Sequence, residues 1–374
     1  MVCKLKKSLY GLKQANGQWY DKLASSLHSE GYKHSDSDYS LFYRKKGSSL
    51  VFVAIYVDDI ILTGTDVSEI NSLVQDKGLG KLHYFLGLEI LYRHDGALIS
   101  QTKFTSDLLK EFDVLNCKVT TSPLDYTEKL KATDGKLLPD PTYYRKLVGK
   151  LNFLTNTRTD IAYSVQHLSQ FMQTPREPHL KASYHVLRYL KQDPTLGIFI
   201  SNKPDLTVSA YCDSDWAACP DSKKFVSGYL VLMEDSPISW KSKKQAIVSL
   251  SSAEAEYRVV RQVVGELVWL ERLLDELTVK CSLPIHVHFD SQAAVHIAKN
   301  SVFHERTKHI EIDCHFVRSK LQQGFITLHH ISTDSQLADI FTKALTGVKH
   351  TTPLSKFSVL TSNLRGGDET TQSN

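Results

Sequence analysis

The sequence predicts three parts in order: an α+β N-terminal part, a helical middle part and a C-terminal α/β domain. Residues 50–63 form an apolar run rich in β-branched side chains, which is typical of strands. Three prolines among the polar residues 116–142 indicate a linker. From residue 206 onward, strand and helix patterns alternate over ~130–140 residues, the length of one ordinary domain.

Composition places the chain among ordinary globular proteins. It has 374 residues, of which 41% are hydrophobic and 23% are charged. No apolar run approaches the ~18 residues of a membrane span, and the basic N-terminus lacks the apolar stretch of a secretory signal. The six cysteines are scattered without a CxxC pair, so we expect reduced thiols in a nuclear or cytosolic protein with no membrane partner.

The N-terminal part contains two adjacent acids in an apolar run. Residues 53–64 read VAIYVDDIILTG, a strand, a short polar turn and a second strand. This pattern predicts a hairpin with Asp58 and Asp59 at its tip. Residues 82–99 also have strand character around an HDG turn, and residues 101–115 have a helical pattern.

The middle part is expected to contain two or three helices within residues 143–192, with a second boundary at residues 202–205. Residues 1–50 carry nine basic against four acidic side chains, and residues 141–200 carry eight against three. Basic surface with interleaved aromatic residues suits a nucleic acid, because charges meet phosphates and rings stack on bases. A solvated basic face over an ordinary core is the alternative.

The C-terminal part predicts three strands, a long helix, a strand, two helices, a strand and a closing helix over residues 334–345. Asp213 and Asp290 each follow an apolar strand. Ligand sites of α/β sheets lie at such strand ends, so we expect these two acids to share a site.

The long helix offers two acids with different surroundings. Ser251-x-x-Glu254 is a capping box, which predicts that Glu254 is used at the helix start. Glu256 instead shares its face with four apolar side chains: Val259, Val260, Val263 and Leu267. A carboxylate in that stripe is costly unless a positive charge meets it, and a divalent cation near Asp213 and Asp290 would supply one.

Asp339 carries a weaker signal, because it shares a helical face with Lys343 and an exposed ion pair explains it equally well. Three or four carboxylates without Cys or many His predict an oxygen-rich site for Mg²⁺ or Mn²⁺. Paired cations of this kind serve in-line displacement at phosphorus. For any single acid, simple solvation remains the alternative. A nearby group of His and Cys residues has no spacing that indicates a zinc finger: His304, His309, Cys314 and His315.

Several motifs carry a family resemblance. They include VCKLKKSLYGLKQA, YVDDIILTG, LGKLHYFLGLEI, SLSSAEAEY and QLADIFTKAL. Over residues 2 to about 350 the chain resembles the C-terminal part of a plant copia-type retrotransposon Pol polyprotein. The resemblance implies an α+β reverse transcriptase palm remnant with a helical thumb or connection. An α/β ribonuclease H-like domain with a mixed five-stranded sheet flanked by helices would follow it.

The resemblance also implies four segments. Residues 1–115 would be the C-terminal half of the reverse transcriptase palm, and residues 116–203 a linker with the helical thumb or connection. Residues 204–346 would be the ribonuclease H-like domain. We expect residues 347–374 to be a polar, disordered tail.

Site roles follow from the resemblance. It implies catalytic, metal-binding acids for hydrolysis of the RNA strand of RNA–DNA hybrids: Asp213, Glu256, Asp290 and Asp339. Asp58 and Asp59 would bind metal in the polymerase. Nucleic-acid contacts are implied at Lys13, Gln14, Ser252, Lys308 and His309. Mg²⁺ (or Mn²⁺) would be the cofactor. The partners would be the hybrid, a single-stranded template and upstream parts of the Pol polyprotein.

The chain departs from the family pattern in its N-terminal half. A polymerase of this type needs another metal-binding aspartate upstream of SLYGLKQ, which begins at Ser8 here. We therefore expect no polymerase activity from this chain alone. Two alternatives to a ribonuclease stay open. One is a catalytically dead transposon remnant that only binds nucleic acid, and the other is a reverse transcriptase completed by a partner chain.

Overall fold

A computed structural model describes residues 15–57, 59–74, 81–299 and 311–362. These residues fall into two compact units. The first unit is bounded by residues 1–86 and 269–280, and the second by residues 87–268 and 281–374. This division differs from the four segments expected from the sequence.

The first unit is built on an antiparallel sheet. Its helices and strands are α1 (Ala15–Ser29), β1 (Lys33–His34), β2 (Leu41–Lys46), β3 (Ser49–Tyr56), β4 (Asp59–Gly64), α2 (Val67–Val74) and β5 (Tyr84–Phe85). Strands β1 to β4 lie in chain order. The alternation of β3 buries side chains on both sheet faces: Val51, Val53 and Ile55 in one cluster and Leu50 and Phe52 in the other. The predicted pairing of the two strands is confirmed, with Asp59 as the first residue of β4 opposite Tyr56, whereas Asp58 lies outside the described residues.

The second unit begins with strands and a helical cluster. Its elements are β6 (Leu88–Arg93), β7 (Gly96–Ser100), α3 (Thr102–Glu111), α4 (Pro141–Leu154), α5 (Ala162–Ser169), α6 (Glu177–Leu190) and β8 (Gly197–Ser201). The middle part thus has three helices, and the helix expected over 101–115 ends at Glu111. Asp140 caps α4 by accepting from the Thr142 N–H, and Pro141 occupies the first turn, where proline costs no hydrogen bond.

The remaining elements build a mixed sheet with flanking helices. They are β9 (Val208–Asp215), β10 (Val226–Met233), β11 (Ser236–Lys244), α7 (Ser252–Glu276), β12 (Ile285–Phe289), α8 (Gln292–Lys299), α9 (Glu311–Gln322) and β13 (Ile326–His330). The strand order is β11-β10-β9-β12-β13. The β11-β10-β9 pairings are antiparallel, whereas β12 is parallel to β9 and β13. The expected mixed five-stranded sheet is observed.

The expected closing helix is wrong. Residues 333–341 instead form two short 3₁₀ turns, Thr333–Ser335 and Leu337–Phe341. Gln336 between them has an extended backbone, with ψ of 103°. Its side-chain amide donates to the Cys212 carbonyl at 2.9 Å, and its Oε1 accepts from the Ala338 N–H at 3.1 Å. This anchor to β9 overrides the helical pattern.

The expectation of a disordered tail over residues 347–374 is also wrong for the residues up to 362, which the structure describes. Helix α10 (Gly347–Lys356) and strand β14 (Val359–Leu360) follow the turns. β14 pairs with β8. The sequence pattern did not indicate β14. Phe357 is fully buried, so the apolar residues of this polar segment fill a core site. The sequence pattern did not reveal this ordered segment, because the partner strand of β14 lies far away in the sequence.

The cysteines and helices of the described residues also bear on the expectations. Four cysteines are thiols outside any disulfide: Cys117, Cys212, Cys219 and Cys314. Among the helices that the structure describes, none has the length and apolar character to cross a membrane.

Candidate metal-binding site

Asp213 lies within β9, two residues before the strand ends, with only 2% of its surface exposed. Its neighbour on β10 is Gly228. A Cβ at Gly228 would lie 2.6 Å from the Phe341 Cβ and 2.8 Å from the Thr342 Cγ2. The glycine therefore lets the segment after the second 3₁₀ turn approach the sheet beside Asp213. The Thr342 hydroxyl donates to the Asp213 carboxylate.

Glu256 reaches the same place from α7. The helix start holds Glu254 in a local role, because its backbone N–H donates to the Ser251 Oγ at 3.2 Å. The Glu254 carboxylate accepts from the Leu250 N–H and from Arg258, both at 2.9 Å. Glu256 is 6% exposed and lies on the apolar stripe that the sequence indicated. Its Oε1 accepts from the Ser214 N–H at 3.1 Å and the Ser214 hydroxyl at 3.0 Å.

Asp290 completes the cluster from the end of β12. The Thr333 hydroxyl donates to its Oδ2 at 3.1 Å. One carboxylate oxygen from each of Asp213, Glu256 and Asp290 lies within 4.8 Å of the other two. Three acids positioned by two strands and a helix thus converge.

Mutual repulsion and burial make this cluster electrostatically costly. The pKa of Glu256 is raised to about 9, chiefly by burial and then by the charges of Asp213 and Asp290. Its Oε2 is buried and has no hydrogen-bond partner among the residues that the structure describes. An acidic oxygen left without a partner in a group of carboxylates calls for a proton or a cation.

Asp339 lies beside the cluster in the second 3₁₀ turn. Burial raises its pKa to about 7, with Asp213 adding to the rise. Lys343 joins the two acids, since its Nζ is 2.9 Å from the Asp339 Oδ1 and 3.4 Å from the Asp213 Oδ2. The ion pair considered as the alternative for Asp339 is therefore present, but it also includes Asp213 and is largely buried.

The donor set fits a hard divalent cation. The three converging ligands are all carboxylate oxygens, and no thiol or imidazole is among them. Mg²⁺ and Mn²⁺ prefer such oxygen ligands, and a bound cation would meet the unpartnered Glu256 Oε2.

The structure describes two further predicted site residues. Ser252 is exposed at the start of α7. Asp59 is exposed at the start of β4. Five predicted residues lie outside the described part of the chain: Lys13, Gln14, Asp58, Lys308 and His309.

The sequence patterns did not indicate several polar residues that hold the acids. Ser214 and Thr342 donate to Glu256 and Asp213, respectively. Lys343 was noted only as a partner of Asp339. For Ser214, adjacency to Asp213 was an available signal. No pattern could have linked Thr342 to Asp213, since 129 residues separate them and only the fold brings them together.

Comparison with known proteins gives a family match in the N-terminal part of the chain. Residues 1–126 match the model described as reverse transcriptase (RNA-dependent DNA polymerase). The chain is 43% identical over 351 residues to the retrovirus-related Pol polyprotein from transposon RE1 of Arabidopsis thaliana. That match covers 92% of this chain but 24% of the relative, so the chain spans about a quarter of its length.

A shorter relative is covered almost entirely. The chain is 31% identical over 276 residues to a transposon Ty5-1 protein of Saccharomyces cerevisiae, covering 71% of this chain and 90% of the relative. Among solved structures, LC11-RNase H1 in complex with an RNA/DNA hybrid matches with 17% identity and a TM-score of 0.28. The match covers 36% of this chain and 93% of the solved chain. A TM-score this low does not establish a shared fold.

Proposed function

Because this chain belongs to the Pol polyproteins of retrotransposons, we propose that its second unit is a ribonuclease H that hydrolyses the RNA strand of RNA–DNA hybrids. The single observation that carries the proposal is the convergence of Asp213, Glu256 and Asp290 within 4.8 Å. A nuclease of this kind needs a preorganised anionic site that holds cations against a phosphodiester.

The acids divide the work according to their surroundings. Asp213 is fixed by Thr342 and Glu256 by Ser214, so these two carboxylates hold their geometry before substrate arrives. Asp290 is less buried than either, so its carboxylate is more accessible to a substrate. Asp339 and Lys343 lie beside Asp213 and set its charge environment.

Divalent cations held by these acids would polarise the scissile phosphate and lower the pKa of the attacking water. The protein itself fixes the carboxylates in place. The free energy of folding offsets their mutual repulsion before the substrate binds. The pKa of Asp339, raised to about 7, makes this acid suited to exchange a proton near neutral pH, for example with the leaving oxygen.

The first unit is proposed to bind the nucleic acid. Its residues 1–86 lie within the region that matches the reverse transcriptase family, and residues 1–50 carry the excess of basic side chains noted above. Such a surface meets phosphates with an affinity that falls as salt rises. The metal role of Asp59 in polymerisation stays a proposal, with Asp59 exposed at the hairpin tip.

The test is cleavage of a labelled RNA–DNA hybrid by the full chain in Mg²⁺ and in EDTA, compared with Asp213→Asn. Loss of one fixed ligand should lower the rate at least ~100-fold, since removing a single electrostatic contact in an active site costs 10²–10³. Asp107→Asn is the matched control, because that acid is a surface residue whose side chain is 60% exposed.

Cleavage that requires Mg²⁺, persists in Asp107→Asn and disappears in Asp213→Asn supports the ribonuclease. If the folded chain binds the hybrid in a salt-sensitive manner but never cuts it, the dead-remnant alternative holds instead. Equal cleavage by the two variants would mean that a contaminating nuclease acts and that the acidic cluster does not.

A further inference from the structure

A second group of metal-ligating side chains lies on the mixed sheet, away from the acidic cluster. His286 on β12 and His329 on β13 are diagonal neighbours on two parallel strands, whose register pairs His286 with Thr327. The His286 Nδ1 lies 2.9 Å from the His329 Nε2. The Thr327 Oγ1 lies 2.9 Å from both of these nitrogens. Three donor atoms therefore surround one point.

We propose that His286 and His329, the sheet-face histidine pair, bind a divalent transition cation such as Ni²⁺ or Cu²⁺. Imidazole suits these ions, whereas Mg²⁺ prefers oxygen ligands. For a metal–nitrogen bond of ~2.05 Å, two nitrogens 90° apart are separated by ~2.9 Å, and two tetrahedral ligands by ~3.3 Å. The observed 2.9 Å separation matches two nitrogens 90° apart, as in square-planar or octahedral coordination.

The surroundings of the pair favour this role. His329 is exposed and His286 is half-buried, so water can complete the coordination shell. His288, two residues from His286 on the same strand face, adds a third ring whose centroid is 5.4 Å from that of His329.

The pair is distinct from the acidic cluster. His286 precedes Asp290 by four residues, which is ~13 Å along an extended strand. The carboxylates offer only hard oxygen ligands and the pair offers nitrogens, so excess Mg²⁺ should fill one site and leave the other open. A cation bound by the pair would link β12 to β13 and stabilise the folded sheet through linkage.

The test is calorimetric titration of the untagged full chain with Ni²⁺ in millimolar Mg²⁺. We expect one Ni²⁺ site, weakened at least ~tenfold in His286→Gln and in His329→Gln, because even outer-shell changes cost 10–100-fold in affinity. His296→Gln is the matched control, since His296 is exposed on α8 outside the pair. Thermal unfolding of each variant without metal shows whether it has folded.

A second readout reports the ligands directly. The electron paramagnetic resonance spectrum of bound Cu²⁺ should show coupling to two imidazole nitrogens in the parent chain and to one in His329→Gln. The midpoint of thermal unfolding should rise with Ni²⁺ in the parent chain and in His296→Gln only. If Ni²⁺ binding is unchanged in both pair variants, or is lost in Asp213→Asn alone, the two rings are merely hydrogen-bonded and the proposal fails.

Discussion

At the scale of single residues, Glu256 shows how helix periodicity creates a site. Four residues on its helix face are completely buried: Val259, Val260, Val263 and Leu267. The same stripe that anchors α7 therefore carries a carboxylate into the interior, where one oxygen is satisfied by Ser214 and the other is not. A buried carboxylate without a partner is unstable alone, and this instability is the physical basis of cation affinity.

The raised pKa of Glu256 predicts a pH effect on stability in EDTA. The folded chain keeps the proton up to about pH 9, whereas the unfolded chain releases it near the ordinary value of 4.5. The folded state therefore binds more protons between these values, and stability must fall as pH rises across the window. Glu256→Gln should remove this slope and raise the free energy of unfolding at pH 8 by at least ~1.4 kcal/mol, the equivalent of one pKa unit.

Urea unfolding from pH 5 to pH 9 in EDTA measures this slope. Asp275→Asn serves as the control, because it removes an exposed acid from the same helix and should keep the slope of the parent chain. Added Mg²⁺ should offset the loss of stability at high pH in the parent chain but not in Glu256→Gln. A parent chain whose stability is level from pH 5 to pH 9 would refute the electrostatic account of the cluster.

At the scale of elements, the site depends on how closely the second 3₁₀ turn, Leu337–Phe341, approaches the sheet. Gly228 on β10 leaves the space that Phe341 and Thr342 occupy. Gln336 ties the preceding residues to the carbonyl of Cys212 on β9. These two features place Asp339 and Thr342 beside Asp213, which a regular helix through residues 334–345 would not do by itself.

Gly228→Ala should therefore damage both stability and the site. Its Cβ would lie 2.6 Å from the Phe341 Cβ and 3.1 Å from the Phe341 carbonyl carbon, so the backbone of the turn has to move. Overpacking of this kind costs ~1–3 kcal/mol. We expect a loss of that size in urea unfolding, together with reduced hybrid cleavage as Asp339 and Thr342 are displaced.

Gly149→Ala is the natural control for this change. Gly149 lies inside α4 and nothing lies within 4 Å of its added Cβ. There, alanine should stabilise the helix by ~0.5–1 kcal/mol and leave cleavage unchanged. If Gly228→Ala behaves like Gly149→Ala, the close approach of the turn to β10 is not what positions the acids.

At the scale of the whole molecule, the C-terminal segment completes the second unit. Strand β14 pairs with β8, and His350 on α10 bonds the Asp160 carbonyl through its Nε2 at 2.9 Å. Asp160 itself is held by fully buried Arg158 and by the Tyr189 hydroxyl. The segment therefore contacts both the helical cluster and strand β8 of this unit.

Phe357→Ala tests the importance of the segment. The ring is completely buried, and truncating a buried phenylalanine costs ~3–5 kcal/mol through lost transfer energy and the cavity left behind. We expect a loss of that size in the free energy of unfolding, read from urea titration of the full chain. Val348→Ala in the preceding helix, α10, should be nearly neutral, because Val348 is 78% exposed. Equal stability of the two variants would show that the segment is not part of the folded core.

Local pattern was sufficient wherever the determining contacts lie near in sequence. The hairpin of β3 and β4, the three helices of the middle part and the buried position of Glu256 all follow from periodicity of two or 3.6 residues. The positions of Asp213 and Asp290 after apolar strands predicted that these acids share a site. The sequence motifs identified the family. Periodicity succeeds here because burial of one face is decided by neighbours a few residues away.

Only the tertiary structure decided what depends on distant partners. The break at Gln336, the pairing of β14 with β8 and the contact of Thr342 with Asp213 each join residues far apart in the chain. The sheet-face histidine pair arises in the same way, from the register of two parallel strands. The sequence by itself indicated the candidate acids, the elements with local contacts and the family, because these are written in local pattern. Their geometry required the fold, because hydrogen bonds between remote residues leave no periodic signal.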